Sequence, residues 1–125
     1  MAGKFRKIQA MFWPVTVKFA KGKNKFDKEV IDIKYVRLTK DESKDLLGRY
    51  RVEEEATAAE SSETYSALND EIIETYIVDW KLDQEDGTPF DFNPENLEMV
   101  MNHPDFGTAI LKGFWDFQNG GATKN

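Results

Sequence analysis

Apolar and polar residues alternate early in the chain and recur at helical spacing later. Val15, Val17 and Phe19 are separated by Thr16 and Lys18 just after Pro14, which is the period of a half-buried strand. The alternation returns with Ile31, Ile33 and Tyr35 against Asp32 and Lys34, before Val36 and Leu38 take the opposite side. Between the two runs, residues 20–25 set Gly22 and Asn24 among lysines, a turn-forming stretch. The pattern predicts an antiparallel hairpin. An isolated hairpin is marginal in water, so this one must pack on the rest of the chain.

Helical signals follow. Thr39 and Glu42 have the spacing of a capping box, and Leu46, Leu47 and Tyr50 give the helix after it an apolar side that fades beyond Val52. Residues 53–64 are wholly Glu, Ala, Ser and Thr, with no apolar face to anchor a helix. Ile72, Ile73, Tyr76, Ile77 and Trp80 then form one stripe, predicting a helix that runs through Trp80. Asn69 or Ser66 would cap it, and Asp70, Glu71 and Glu74 favour its N-terminal dipole. Gly87 and Pro89 make residues 83–90 a turn. Asn93-Pro94-Glu95 starts a further short helix, with Leu97, Val100 and Met101 as its face, and His103-Pro104 interrupts it. The last helix carries Phe106, Ile110, Phe114 and Phe117, with Leu111 and Trp115 beside that stripe, and Asn119-Gly120-Gly121 closes it.

The predicted fold is therefore α+β, an N-terminal antiparallel β-hairpin followed by about four α-helices. We read residues 1–125 as a single domain. Within it lie a flexible start (1–12), the hairpin and first helix (13–52), a polar helical extension or linker (53–66), a helical C-terminal half (67–119) and a mobile tail (120–125).

Composition narrows the function. A chain of 125 residues is one domain's worth, and charged residues at 32% against 40% hydrophobic ones imply a compact core with much solvated surface. The absence of cysteine removes disulfides, thiolate metal sites and Cys nucleophiles, and fits a reducing cytoplasm. No apolar run approaches the roughly 18 residues of a membrane span. The basic start lacks the apolar stretch and cleavage site of a secretory signal. Charge is divided unevenly: residues 1–28 carry +7, and the remainder −13. An acidic whole argues against general nucleic-acid binding. The basic segment leaves three roles open: a solvated hairpin, a nucleic-acid contact through Lys18 to Lys28, or a pole that draws copies head to tail or an acidic partner.

Candidate chemistry is sparse. If Gly87 held the sixth position of a calcium loop, Leu82 would be first and Asn93 twelfth, so Asp83, Glu85 and Asp86 read as an acidic turn. His103 is the sole histidine, stands before Pro104 and has no His or Cys within reach in sequence; it reads as a turn or helix-end residue rather than a metal ligand or general base, and it is the only usual base a Ser or Thr nucleophile could use. Gly120-Gly121 precedes only a short tail and makes no phosphate loop. These readings predict a non-enzymatic protein with no catalytic, metal or cofactor residues. Trp80, Phe90, Phe92, Phe106, Phe114, Trp115 and Phe117 crowd the last 46 residues, and the last helix is apolar on more than one side. Excess apolar face in a small chain predicts a partner, with Leu111, Phe114 and Trp115 as the expected contacts.

The order of Ile77-Val-Asp-Trp80, Asp83-Gln-Glu-Asp-Gly-Thr-Pro-Phe90 and Phe92-Asn-Pro-Glu-Asn-Leu97 resembles the tail assembly chaperones of long-tailed bacteriophages. His103-Pro-Asp-Phe, Ala109-Ile-Leu-Lys-Gly-Phe-Trp and the closing Lys124-Asn125 are similar as well. The resemblance covers residues 70–125 and, loosely, 12–50. It implies a non-enzymatic role in virion morphogenesis in the host bacterial cytoplasm: coating the tape-measure protein, keeping it soluble and recruiting tail-tube protein. It also implies self-association and no cofactor. The matching positions Trp80, Asp86, Gly87 and Pro89 carry over as structural residues. A structural virion protein of the tail or head-completion type, and a small nucleic-acid-binding regulator, are the alternatives.

Overall fold

The computed structural model describes residues 3, 9–54 and 68–120, with 50–54 described by backbone alone. The expected linker beyond residue 54, the tail from residue 121 and residues 1–2 and 4–8 of the expected flexible start lie outside the described residues. Among the described residues the architecture is α+β: a three-stranded antiparallel sheet and four helices. Strands β1 (Ala10–Gly22) and β2 (Lys25–Val36) form the hairpin. Helix α1 spans Lys40–Glu54, and α2 is described over residues 68–76. Strand β3 (Ile77–Lys81) is followed by α3 (Pro94–Asn102) and α4 (Pro104–Gln118).

The hairpin follows the sequence pattern and is longer than the alternation suggests. β1 begins at Ala10, inside the stretch expected to be flexible, and carries Pro14 within it. A proline is tolerated there because β1 is an outer strand in the order β1-β2-β3. Val15 pairs with Ile31 and Trp13 with Ile33, placing one apolar face inward. Asn24 closes the tip at φ 64, a left-handed conformation that asparagine accepts readily.

β3 corrects the sequence reading. Ile77 and Trp80 do not extend α2; the chain leaves the helix after residue 76 and pairs antiparallel with β2. Trp80 faces Ile33, and Ile77 faces Tyr35. An irregularity in the register leaves Val78 without a partner across the sheet, and it is exposed. With that bulge the strand loses its strict alternation, and Ile77 and Trp80 fall by coincidence on the helical stripe of Ile72, Ile73 and Tyr76.

α4 packs on the inward face of the sheet. Ile110, Phe114 and Phe117 meet Val15, Val17, Ile33 and Tyr35 in one buried cluster, which Leu46, Leu68, Ile72, Leu97 and Val100 complete from the other helices. The Tyr35 hydroxyl donates to the Ile110 carbonyl at 2.7 Å, tying sheet to helix. Gly113 permits the close approach: a Cβ there would stand 2.7 Å from both the Tyr35 hydroxyl and a Val15 methyl. Gln118 adds a second tie, donating to the Val36 carbonyl and accepting from the Leu38 amide. No described helix is long and apolar enough to cross a membrane.

Candidate partner-binding groove

Helices α2 and α3 frame a groove. At α3, the Asn93 side chain accepts from the Asn96 amide at 2.8 Å, and Pro94 occupies the first turn, where its missing N–H costs nothing. Leu97 and Val100 point into the core, while Glu98 and Met101 border the groove. On the facing helix α2, Leu68 and Ile72 are buried, leaving Ile73 at the groove with Asp70 and Glu74 at its rim. Adjacent isoleucines on a helix cannot share one direction, so Ile73 is only half-buried.

The groove encloses about 740 Å³. Ile73, Ile77, Phe92, Leu97 and Met101 supply its apolar lining, and Asp70, Glu74 and Glu98 its charge; among the described residues no Lys, Arg or His lines it. Such a surface suits an apolar segment with basic flanks.

The residues singled out for their family resemblance support this groove from behind. The Trp80 indole N–H donates to the Phe90 carbonyl at 2.6 Å, its ring stacks on Phe90, and Phe92 packs edge-on against it at 4.9 Å between centroids. Phe92 is thereby held at the groove wall. The turn between them closes through Gln84 N–H to Thr88 O (2.7 Å), Phe90 N–H to Leu82 O (2.8 Å) and a bridge between Asp83 and Pro89. Gly87 adopts φ 87, which other residues reach only with strain. Asp86 accepts from the Thr88 hydroxyl at 2.6 Å and the Thr88 amide at 2.9 Å, and these bonds hold its carboxyl below the ordinary range. The acidic turn is a fastening for Trp80, Phe90 and Phe92.

The expected contact residues of α4 are placed differently. Phe114 is fully enclosed, packed against Tyr35, Tyr76 and Trp115. It has no surface to offer a partner. Leu111 and Trp115 are half-buried against the same core. The sheet covers the apolar face of α4 on one side and Tyr76 of α2 packs on Phe114 from another, leaving Leu111 and Trp115 partly exposed at its margin.

His103 sits exposed at the α3–α4 junction, its ring edge-on to Phe19 and Phe106. Among the described residues, no group of three or more His, Cys, Asp or Glu could hold a metal ion. A second, more open depression of about 1080 Å³ runs beside β2 past Met99 and Phe106. Its border mixes Lys28 and Lys81 with Asp27, Asp83 and Glu85, so its charge selects no class of ligand. Comparison with protein-family models, curated proteins and solved structures found no match to this chain.

The groove was not evident from sequence. Met101 and Ile73 read as core, and Asp70 and Glu74 as partners of the helix dipole. The available signal was the excess of apolar positions, Ile72 with Ile73 and Val100 with Met101, on helices each with one face to bury.

Proposed function

We propose that this chain is a non-enzymatic binding protein that acts as a phage tail assembly chaperone in the cytoplasm of the infected bacterium. Its groove between α2 and α3 holds an amphipathic, basic-flanked segment of the tape-measure protein. The observation that carries the reading is the acid-rimmed apolar groove, with Ile73, Phe92 and Met101 incompletely covered by the chain itself. The order of Trp80, the Asp86-Gly87-Thr88-Pro89 turn, the Asn93-capped helix and the aromatic α4, similar to that of tail assembly chaperones, supports the choice of partner.

Co-expression with the tape-measure protein tests it. Soluble tape-measure protein should rise when this chain is present, and the gain should vanish with Ile73→Asp or Met101→Asp. No change in its solubility with the unaltered chain would refute the reading. Mass spectrometry of purified particles should not find a chaperone; stoichiometric recovery there would instead favour a tail or head-completion component.

A further inference from the structure

The far end of the β1–β2 hairpin is an arm whose surface complements the groove. Every residue from Ala20 to Val30 is exposed. Buried Val15, Val17 and Ile31 fix which face looks inward, so Lys18, Phe26, Lys28 and Val30 share the face opposite α4. Phe26 is 63% exposed and Val30 64%. Lys18 stands directly across from Lys28.

That pairing is anomalous within this sheet. On the same face Lys34 lies opposite Asp79 and Asp32 opposite Lys81, opposite charges in both cases. Like charges set across a pair of strands destabilise it. Among the described residues neither Lys18 nor Lys28 has an ion-pair partner, whereas Lys21 is paired with Asp27 at 3.1 Å. The groove has the converse lack: Asp70, Glu74 and Glu98 have no basic partner among the described residues.

We infer that the arm of one molecule docks in the groove of a second copy of this chain, with Phe26 against Ile73 and Met101 and with Lys18 and Lys28 meeting Glu74 and Glu98. A molecule cannot fill its own groove this way, because the face bearing Phe26 looks away from the helices. The contact joins two different surfaces and is therefore heterologous. Each added copy leaves one arm and one groove free, so assembly proceeds as rings or open chains rather than stopping at a symmetric dimer. The inference rests on the reading of the groove as a docking site and names a further occupant for it.

Sedimentation of the purified chain alone provides the test, independently of the co-expression result. At about 0.05 M salt the average mass should rise with protein concentration, and at about 1 M salt, where screening acts within about 3 Å, it should fall back toward the monomer. Lys18→Gln/Lys28→Gln and Glu74→Gln/Glu98→Gln, all substitutions of exposed residues, should each remain monomeric with an unchanged circular dichroism spectrum. An equimolar mixture of the two variants retains one good arm and one good groove, and should give a dimer and nothing larger. A wild-type monomer at every concentration in low salt overturns the inference, as does a mixture that stays monomeric. Salt-sensitive binding of duplex DNA by a chain that never self-associates also overturns it, assigning the arm to nucleic acid.

Discussion

Gly113 lies where α4 comes closest to the sheet, and its missing side chain is what the approach requires. A Cβ at that position would meet a tyrosine hydroxyl and a valine methyl, both at 2.7 Å and both buried. Alanine gains about 1 kcal/mol in helix propensity over glycine, but overpacking a rigid core costs about 1–3 kcal/mol. Gly113→Ala should therefore lower stability in urea denaturation despite its better propensity. Tyr35 adds a pH dependence. Burial pushes its phenol well above the ordinary 10.0, and nearby Asp116 pushes it the same way. Above about pH 10 the unfolded chain releases that proton while the folded chain keeps it, so stability falls by up to about 1.4 kcal/mol per pH unit. Tyr35→Phe should cost about 0.5–1.5 kcal/mol at neutral pH through the lost hydrogen bond to Ile110. That deficit should shrink in urea titrations as pH rises past 10; a deficit that stays constant would show that Tyr35 titrates in the folded protein. Residue identity alone marked Tyr35 and Phe114 as apolar positions. That Phe114 faces the core rather than a partner depends on Tyr76 and the sheet closing over α4, and that is a property of the assembled chain.

Elements were legible where their own ends declare them. Thr39 and Glu42 exchange hydrogen bonds as a capping box, the Thr39 amide to the Glu42 carboxylate at 2.9 Å and the Glu42 amide to the Thr39 hydroxyl at 3.2 Å. Asn93 caps α3 through its side chain as its position before Pro94 suggested. Asn93→Ala should cost about 1 kcal/mol in global stability. Because α3 forms one wall of the groove, the same substitution should weaken partner binding more than a cap loss at α1, none of whose described residues lines the groove and for which Thr39→Ala is the control. Equal effects of the two on binding would mean that α3 does not frame the site. β3 shows where local signals fail. Five residues with a bulge cannot display a period of two, and Ile77 and Trp80 continue the phase of the helix before them. The strand exists because β2 offers a free edge beside Asp32–Tyr35, and that edge is set by tertiary structure.

At the scale of the molecule, the uneven charge becomes a spatial arrangement. The basic segment prominent in sequence is a projecting arm, and part of the acidic remainder gathers around an apolar groove. The division was legible from charge alone; the groove was not, since it requires α2 and α3 to be brought together from either side of β3 and the acidic turn. One groove cannot hold an arm and a partner segment at once, so self-association and partner binding should exclude each other. A synthetic amphipathic helix of Leu and Lys at i, i+4 spacing serves as the probe. At protein concentrations where the wild type self-associates, it should bind this probe more weakly than Lys18→Gln/Lys28→Gln does, because the arm of a neighbour competes. At high dilution the two should bind alike, since neither groove is then occupied. Fluorescence titration of the labelled helix at both concentrations measures the difference. Identical affinity at both would mean that arm and partner use separate surfaces, and that loading the partner does not release the chain from its own copies.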